Sequence, residues 1–139
     1  MNGPFVVDSS VAIAWAVPSQ ATEGSADLLE NVSTSSPIIV PVLWAFEVAN
    51  SLLALWRRRV IRDEQYERAR RGLAALEAVV DEEGPRLALE QISTMAKEHS
   101  LSVYDSVYLE LALRRGFPLA TRDAALNKAA QRAGVRTLL

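Results

Sequence analysis

The 139-residue chain contains no cysteine and a single histidine, His99. The first absence excludes a disulfide framework and any zinc–thiolate site. The second excludes every site that needs two imidazoles, and leaves a Ser-His-Asp triad with only one candidate base. Long apolar runs are also missing. The longest, Pro37 to Phe46, contains two prolines and falls well short of the ~18 residues that span a bilayer. The N-terminal Met1-Asn2-Gly3-Pro4 lacks the positive region of a secretory leader, and Asp8 interrupts the apolar stretch after it. The expectation is a cytoplasmic protein with no membrane segment. Fifteen basic residues against seventeen acidic ones give a net charge of −2, so bulk charge does not mark a nucleic-acid binder.

Half of the residues are hydrophobic, enough to bury a core without staples. The length fits one domain over residues 1–139. No internal repeat, low-complexity tract or linker divides it. Short β-branched runs alternate with helical patterns. Strands are expected at Pro4–Val7, Pro37–Val40, Ala78–Val80, Phe117–Ala120 and Val135–Leu138. Helices are expected over Val11–Val17, Gln20–Val32, Leu43–Arg59, Asp63–Leu76, Arg86–His99, Ser102–Arg115 and Asp123–Ala133. This alternation predicts an α/β fold, a three-layer α/β/α sandwich around a parallel sheet of four to five strands. Such sheets bind ligands beyond the carboxyl ends of their strands.

Four acidic residues fall at boundaries of that kind. Asp8 follows Phe5-Val6-Val7, and Asp123 lies three residues past a strand. Glu47 is set between Phe46 and Val48, and Asp105 lies in Tyr104-Asp105-Ser106-Val107-Tyr108. Each has an ordinary structural alternative. Asp8 and Asp123 suit helix N-caps, Asp105 completes an S-x-x-D capping box with Ser102, and Glu47 could lie on a solvated helix face. Gathered on one sheet edge, however, four carboxylates repel one another unless a divalent cation neutralises them. That pattern points to metal-assisted chemistry on a phosphate ester.

The segments Val6-Val7-Asp8-Ser9-Ser10, Glu47-Val48-Ala49-Asn50, Tyr104 to Ala112 and Leu119 to Leu126 resemble, in order and spacing, the PIN-domain ribonucleases, specifically the VapC toxins of toxin–antitoxin pairs. The resemblance covers essentially the whole chain. It implies a PIN-like sandwich and an Mg²⁺- or Mn²⁺-dependent endoribonuclease. Asp8, Glu47, Asp105 and Asp123 would form the catalytic site, with Asp8, Asp105 and Asp123 on the metal and Ser9 and Thr121 lining the pocket. It also implies a homodimer and a cognate antitoxin whose C-terminal segment lies along a groove near the acidic site and blocks it; the residues expected to line that groove are Trp15, Trp44 and Leu52 or Leu53, with Trp44 on balance in the core. Glu110 departs from the family's small or apolar residue and is expected to face solvent.

Arginines dominate the basic residues, in runs at Arg57-Arg58-Arg59 with Arg62, at Arg68-Arg70-Arg71, and from Arg114 to Arg136. They suit phosphate contacts and stacking on unpaired bases, or simply solvated helix faces. Arg122, beside Asp123, is the leading candidate for a substrate phosphate. A partner-binding module on the same fold, or a structure-specific DNA nuclease without a toxin role, are the alternatives.

Overall fold

The computed structural model describes residues 3–139. Met1 and Asn2, half of the segment weighed as a leader, lie outside the described residues. Four strands form the sheet: β1 (Phe5–Val7), β2 (Ile38–Pro41), β3 (Ala78–Asp81) and β4 (Leu119–Ala120). Their order is β3-β2-β1-β4, and every pairing is parallel. The register sets Val6 against both Ile39 and Leu119, and Val7 against Ala120. The carboxyl ends of β1 and β4 are therefore level, and the residues that leave them, Asp8 and Thr121, share one edge of the sheet.

Parallel strands covered on both faces must be apolar without interruption. Phe5, Val6 and Val7 meet that demand and are fully buried. Their side chains alternate. Phe5 and Val7 join Val11, Leu28, Ile38 and Ala120 on one face. Val6 joins the larger cluster, with Trp44, Val48 and Leu52 of one helix and Tyr108, Leu109 and Leu111 of another. These two clusters are the two interlayer cores of a three-layer sandwich.

The helices are α1 (Ser9–Ala16), α2 (Glu23–Glu30), α3 (Leu43–Arg57), α4 (Asp63–Ala74), α5 (Gly84–Leu87), α6 (Ser93–His99), α7 (Val103–Arg115) and α8 (Ala124–Arg132). Between α5 and α6 the backbone opens into a π turn over Ala88–Ile92. A single α-helix over Arg86–His99 is the expectation from sequence. The Ser93 amide and hydroxyl both reach back to the Ala88 carbonyl, the hydroxyl at 2.7 Å, and hold the wider turn. The expected strand over Val135–Leu138 is reduced to one parallel bridge, Thr137 to Leu119. The two-residue β4 offers only Leu119 to a further neighbour. Its N–H donates to Arg136 and its carbonyl accepts from Leu138. Among the described residues no helix is long and apolar enough to cross a membrane.

Candidate active site

Three of the four acids stand at the positive ends of helices. Asp8 follows β1 directly and accepts from the Val11 amide at the start of α1. Asp123 caps α8 by accepting from the Leu126 amide at 2.8 Å. Asp105 lies in the first turn of α7, where the Ser102 hydroxyl accepts from its amide at 3.0 Å. The helix caps drawn from sequence are thus realised at Asp8 and Asp123, and at Asp105 the Ser102 half of the capping box is formed; these positions hold the same carboxylates at the site. Glu47 comes from the second turn of α3, the helix that follows β2.

Asp8 is the most enclosed of the four, only 5 % exposed. Ser10 donates to its Oδ1 at 2.6 Å, and the Thr121 hydroxyl donates to Oδ2. Thr121, fully buried, in turn accepts from the Asp123 amide at 3.0 Å. One hydroxyl therefore joins the loops after β1 and β4. The other half of the site is built around Tyr108, 2 % exposed, whose hydroxyl donates to Glu47 Oε1 at 2.5 Å. Ser9 hydrogen-bonds the same phenol.

Electrostatics link the two halves. Burial raises the Asp8 carboxyl above its usual range, against the hydrogen bonds from Ser10 and Thr121. Burial also raises Glu47, with the charges of Asp105 and Asp8 adding to it and the Tyr108 hydrogen bond opposing it. Asp105 is raised by burial and then by the charge of Asp123. The four acids thus form one chain of mutual repulsion, and among the described residues none of them pairs with an arginine or lysine.

A second acidic group shows the contrast. Asp81, at the end of β3, takes both arms of Arg114, at 2.9 and 3.0 Å, and one of Arg115 at 3.2 Å. Arg114 also grips Glu110 through Nε at 2.9 Å. The Arg114 hydrogen bond holds the Asp81 carboxyl below its usual range. Glu110 does not face solvent, as expected from sequence, but is only 7 % exposed. Its burial is stabilised by the fork of Arg114 one helical turn on. These are neutralised structural acids, and the site acids are not.

Among the described residues no group of three or more acidic or histidine side chains stands close enough to hold a metal ion as placed. The donors nevertheless suit a hard divalent cation. They are carboxylates and hydroxyls with no nitrogen or sulfur ligand, and Mg²⁺ takes one or two carboxylates directly while water bridges to the rest. The structure thus brings Asp8, Ser9, Glu47, Asp105, Thr121 and Asp123 into one connected region. Arg122 lies beside it, its amide donating to Ser10 Oγ at 3.0 Å. Sequence reasoning missed Ser10 and Tyr108. Ser10 carried a signal, the second hydroxyl of Asp8-Ser9-Ser10, whereas Tyr108 falls on an apolar helical face and resembles ordinary core.

A family model described as PIN domain matches residues 5–132. Ribonuclease VapC3 of Pyrobaculum aerophilum is 29% identical over 122 residues, spanning 88% of this chain and 91% of that protein. Among solved structures, FitAcB from Neisseria gonorrhoeae matches with a TM-score of 0.66 over 97% of this chain and 96% of that one, at 17% identity. A toxin–antitoxin complex from Klebsiella pneumoniae matches with a TM-score of 0.62 over 97% and 98%, at 18% identity. The structural likenesses speak to the fold and agree with the parallel sheet order described above. With the family match running through β1, all four acids and α8, this chain belongs to the PIN-domain family.

Proposed function

We propose that this protein is a divalent-metal-dependent endoribonuclease and the toxin of a toxin–antitoxin pair. The observation that carries the reading is the uncompensated acidic chain of Asp8, Glu47, Asp105 and Asp123, set beside arginine-neutralised Asp81 and Glu110 in the same molecule. A fold that neutralises one acidic pair with arginine and leaves the other set bare keeps the bare set for a cation. The likeness to Ribonuclease VapC3 supports RNA as the substrate, and the likeness to a toxin–antitoxin complex supports a protein antitoxin.

Mg²⁺ or Mn²⁺, held by Asp8, Asp105 and Asp123, would polarise the scissile phosphate and lower the pKa of a bound water. The side chains of the chain itself do the positioning. Ser10, Val11 and Thr121 fix both oxygens of Asp8, so that carboxylate arrives pre-oriented. Tyr108 occupies Oε1 of Glu47 and leaves Oε2 to orient water. Arg122 contacts a substrate phosphate. Hydrolysis with water as nucleophile leaves a 5′-phosphate and a 3′-hydroxyl.

The antitoxin segment would use an apolar groove of about 400 Å³ lined by Trp44, Val48, Leu52, Leu73, Leu76 and Val80. Trp44 is at once a core residue and a wall of this groove. Trp15 opens on a neighbouring cavity of about 270 Å³ that shares Leu73 and Leu76. A homodimer completes the assembly.

The test is cleavage of total RNA by purified protein, in Mg²⁺ or Mn²⁺ against EDTA, with Asp8→Asn run beside it. Metal-dependent cutting that the variant loses is expected. Cutting retained by Asp8→Asn, or in EDTA, would reject the assignment.

A further inference from the structure

Beside the acids, α1, α3 and the Thr121–Asp123 loop border an open cavity of about 280 Å³, lined by Ser10, Gln20, Ser51, Arg58 and Arg122 over a floor that includes Ile13 and Leu55. We propose that this cavity is a subsite for the nucleotide next to the scissile phosphate in a single-stranded RNA, with Arg58 and Arg122 as its phosphate contacts. The inference rests on the ribonuclease reading above and deepens it.

Position argues first. Ser10 is shared by cavity and site, since its hydroxyl donates to Asp8 Oδ1 and accepts from the Arg122 amide. A chain whose phosphate lies at Asp8 thus has its next unit at this opening. Size agrees, being close to the lower end of the roughly 300–1,000 Å³ of small-molecule clefts.

Charge argues next. Arg62, Arg70, Arg86, Arg114 and Arg115 are held by carboxylates. Arg58 and Arg122 have no such partner among the described residues, although both are exposed and a cluster of acids stands next to one of them. Two free guanidiniums converging on one cavity suit phosphate oxygens. The lining adds two hydroxyls and an amide, which suit a sugar and a base edge, and apolar floor atoms that suit a base face. Arg58 closes α3, and Arg59 after it adopts φ 61. Arg57, the last residue of α3, and Arg59 past that turn line a further cavity of about 570 Å³ with Trp56, Arg62 and a single acid, Asp63. The strand therefore has a positively charged, partly aromatic route away from the acids.

The experiment uses full-length Asp8→Asn protein, expected to bind without cutting, and a labelled short single-stranded RNA of mixed sequence. Affinity is read by fluorescence anisotropy across a salt series. Arg58→Gln and Arg122→Gln, each in that background, are expected to weaken binding about 5–10-fold and to lower the salt slope by about 0.7 for each lost phosphate contact. Arg136→Gln removes the same charge next to the start of β4, at the opposite end of the sheet, and is expected to change neither. In otherwise wild-type protein the two cavity variants are expected to raise KM with kcat nearly kept.

Equal effects of all three substitutions would overturn the subsite, as would RNA binding untouched by the cavity variants while antitoxin binding is lost. The ribonuclease reading fails separately, through absent metal-dependent cleavage by the wild-type protein. Intact cleavage with unaffected cavity variants sinks the subsite alone.

Discussion

Tyr108→Phe tests the half of the site that the sequence hid. The substitution removes one oxygen from a fully enclosed ring and leaves its packing intact. That oxygen donates to Glu47 at 2.5 Å, a short bond to a carboxylate of the stronger, charge-assisted kind. Such bonds contribute a net 1.5–3 kcal/mol or so. Glu47 is only half-buried, so water replaces part of what is lost, and about 1–2 kcal/mol is the expected cost. For a domain of 139 residues that lowers Tm by roughly 3–8 °C. The second consequence separates positioning from mere stability. With Oε1 free, the carboxylate turns away from the water it orients, and kcat should fall about 10–100-fold, the loss of activity seen when outer partners at a metal site are removed. Single-turnover cleavage by the folded variant at saturating Mn²⁺, beside a thermal melt in metal-free buffer, reads both quantities. A lower Tm with unchanged kcat would refute the positioning role, and no change in either would show that the hydrogen bond contributes nothing.

Two further perturbations separate the bare acids from the neutralised ones. Asp105→Asn should stabilise the metal-free protein at neutral pH by about 0.5–1 kcal/mol, or roughly 2–4 °C, because it removes a carboxylate whose folded pKa is raised by burial and by Asp123. A raised carboxyl favours the folded state while protonated, and that advantage is lost as pH rises from its unfolded value through its folded one. The gain should therefore disappear in melts below about pH 4, and a loss of stability at neutral pH would leave Asp105 a capping residue only. Arg114→Met should cost roughly 2–4 kcal/mol in urea denaturation, since it strands Asp81 and Glu110 with only Arg115 in reach. Asp81, with its lowered pKa, stabilises above its unfolded value and loses that contribution as pH falls. The Arg114→Met penalty should shrink in acid, and a pH-independent penalty would point to lost packing instead.

Most of the architecture was legible because parallel strands must be apolar throughout, and Phe5-Val6-Val7 and Ile38-Ile39-Val40 admit no other role. The acids were legible because Asp8 and Asp123 stand where apolar strands stop. What stayed hidden depends on contacts distant in sequence. Glu110 looks solvent-facing until Arg114 and Asp81 are seen together, and Asp81 lies 33 positions from that arginine. Tyr108 meets Glu47 across 61 positions, and nothing local distinguishes it from a core aromatic. The π turn at Ala88–Ile92 depends on one serine reaching one turn too far, a preference no hydrophobic period records. The last strand was over-extended because Val135 and Leu138 have strand-like side chains, whereas a ladder is limited by the shorter partner, here the two residues of β4.

Asp8 and Asp123 cap their helices through one carboxylate oxygen each, and asparagine retains that oxygen. Exchange to asparagine therefore keeps the cap and removes the charge. At buried Asp8 the exchange leaves the outer surface as it was and asks Thr121 to accept where it had donated, whereas at exposed Asp123 it also takes one negative charge off the surface. A silenced copy would still present the Trp44 groove to whatever docks there. Two proteins differing only by an amide nitrogen in place of one carboxylate oxygen would then compete for the same binder, one of them inert, and the proportion of inert copies would set how much binder remains for the active ones.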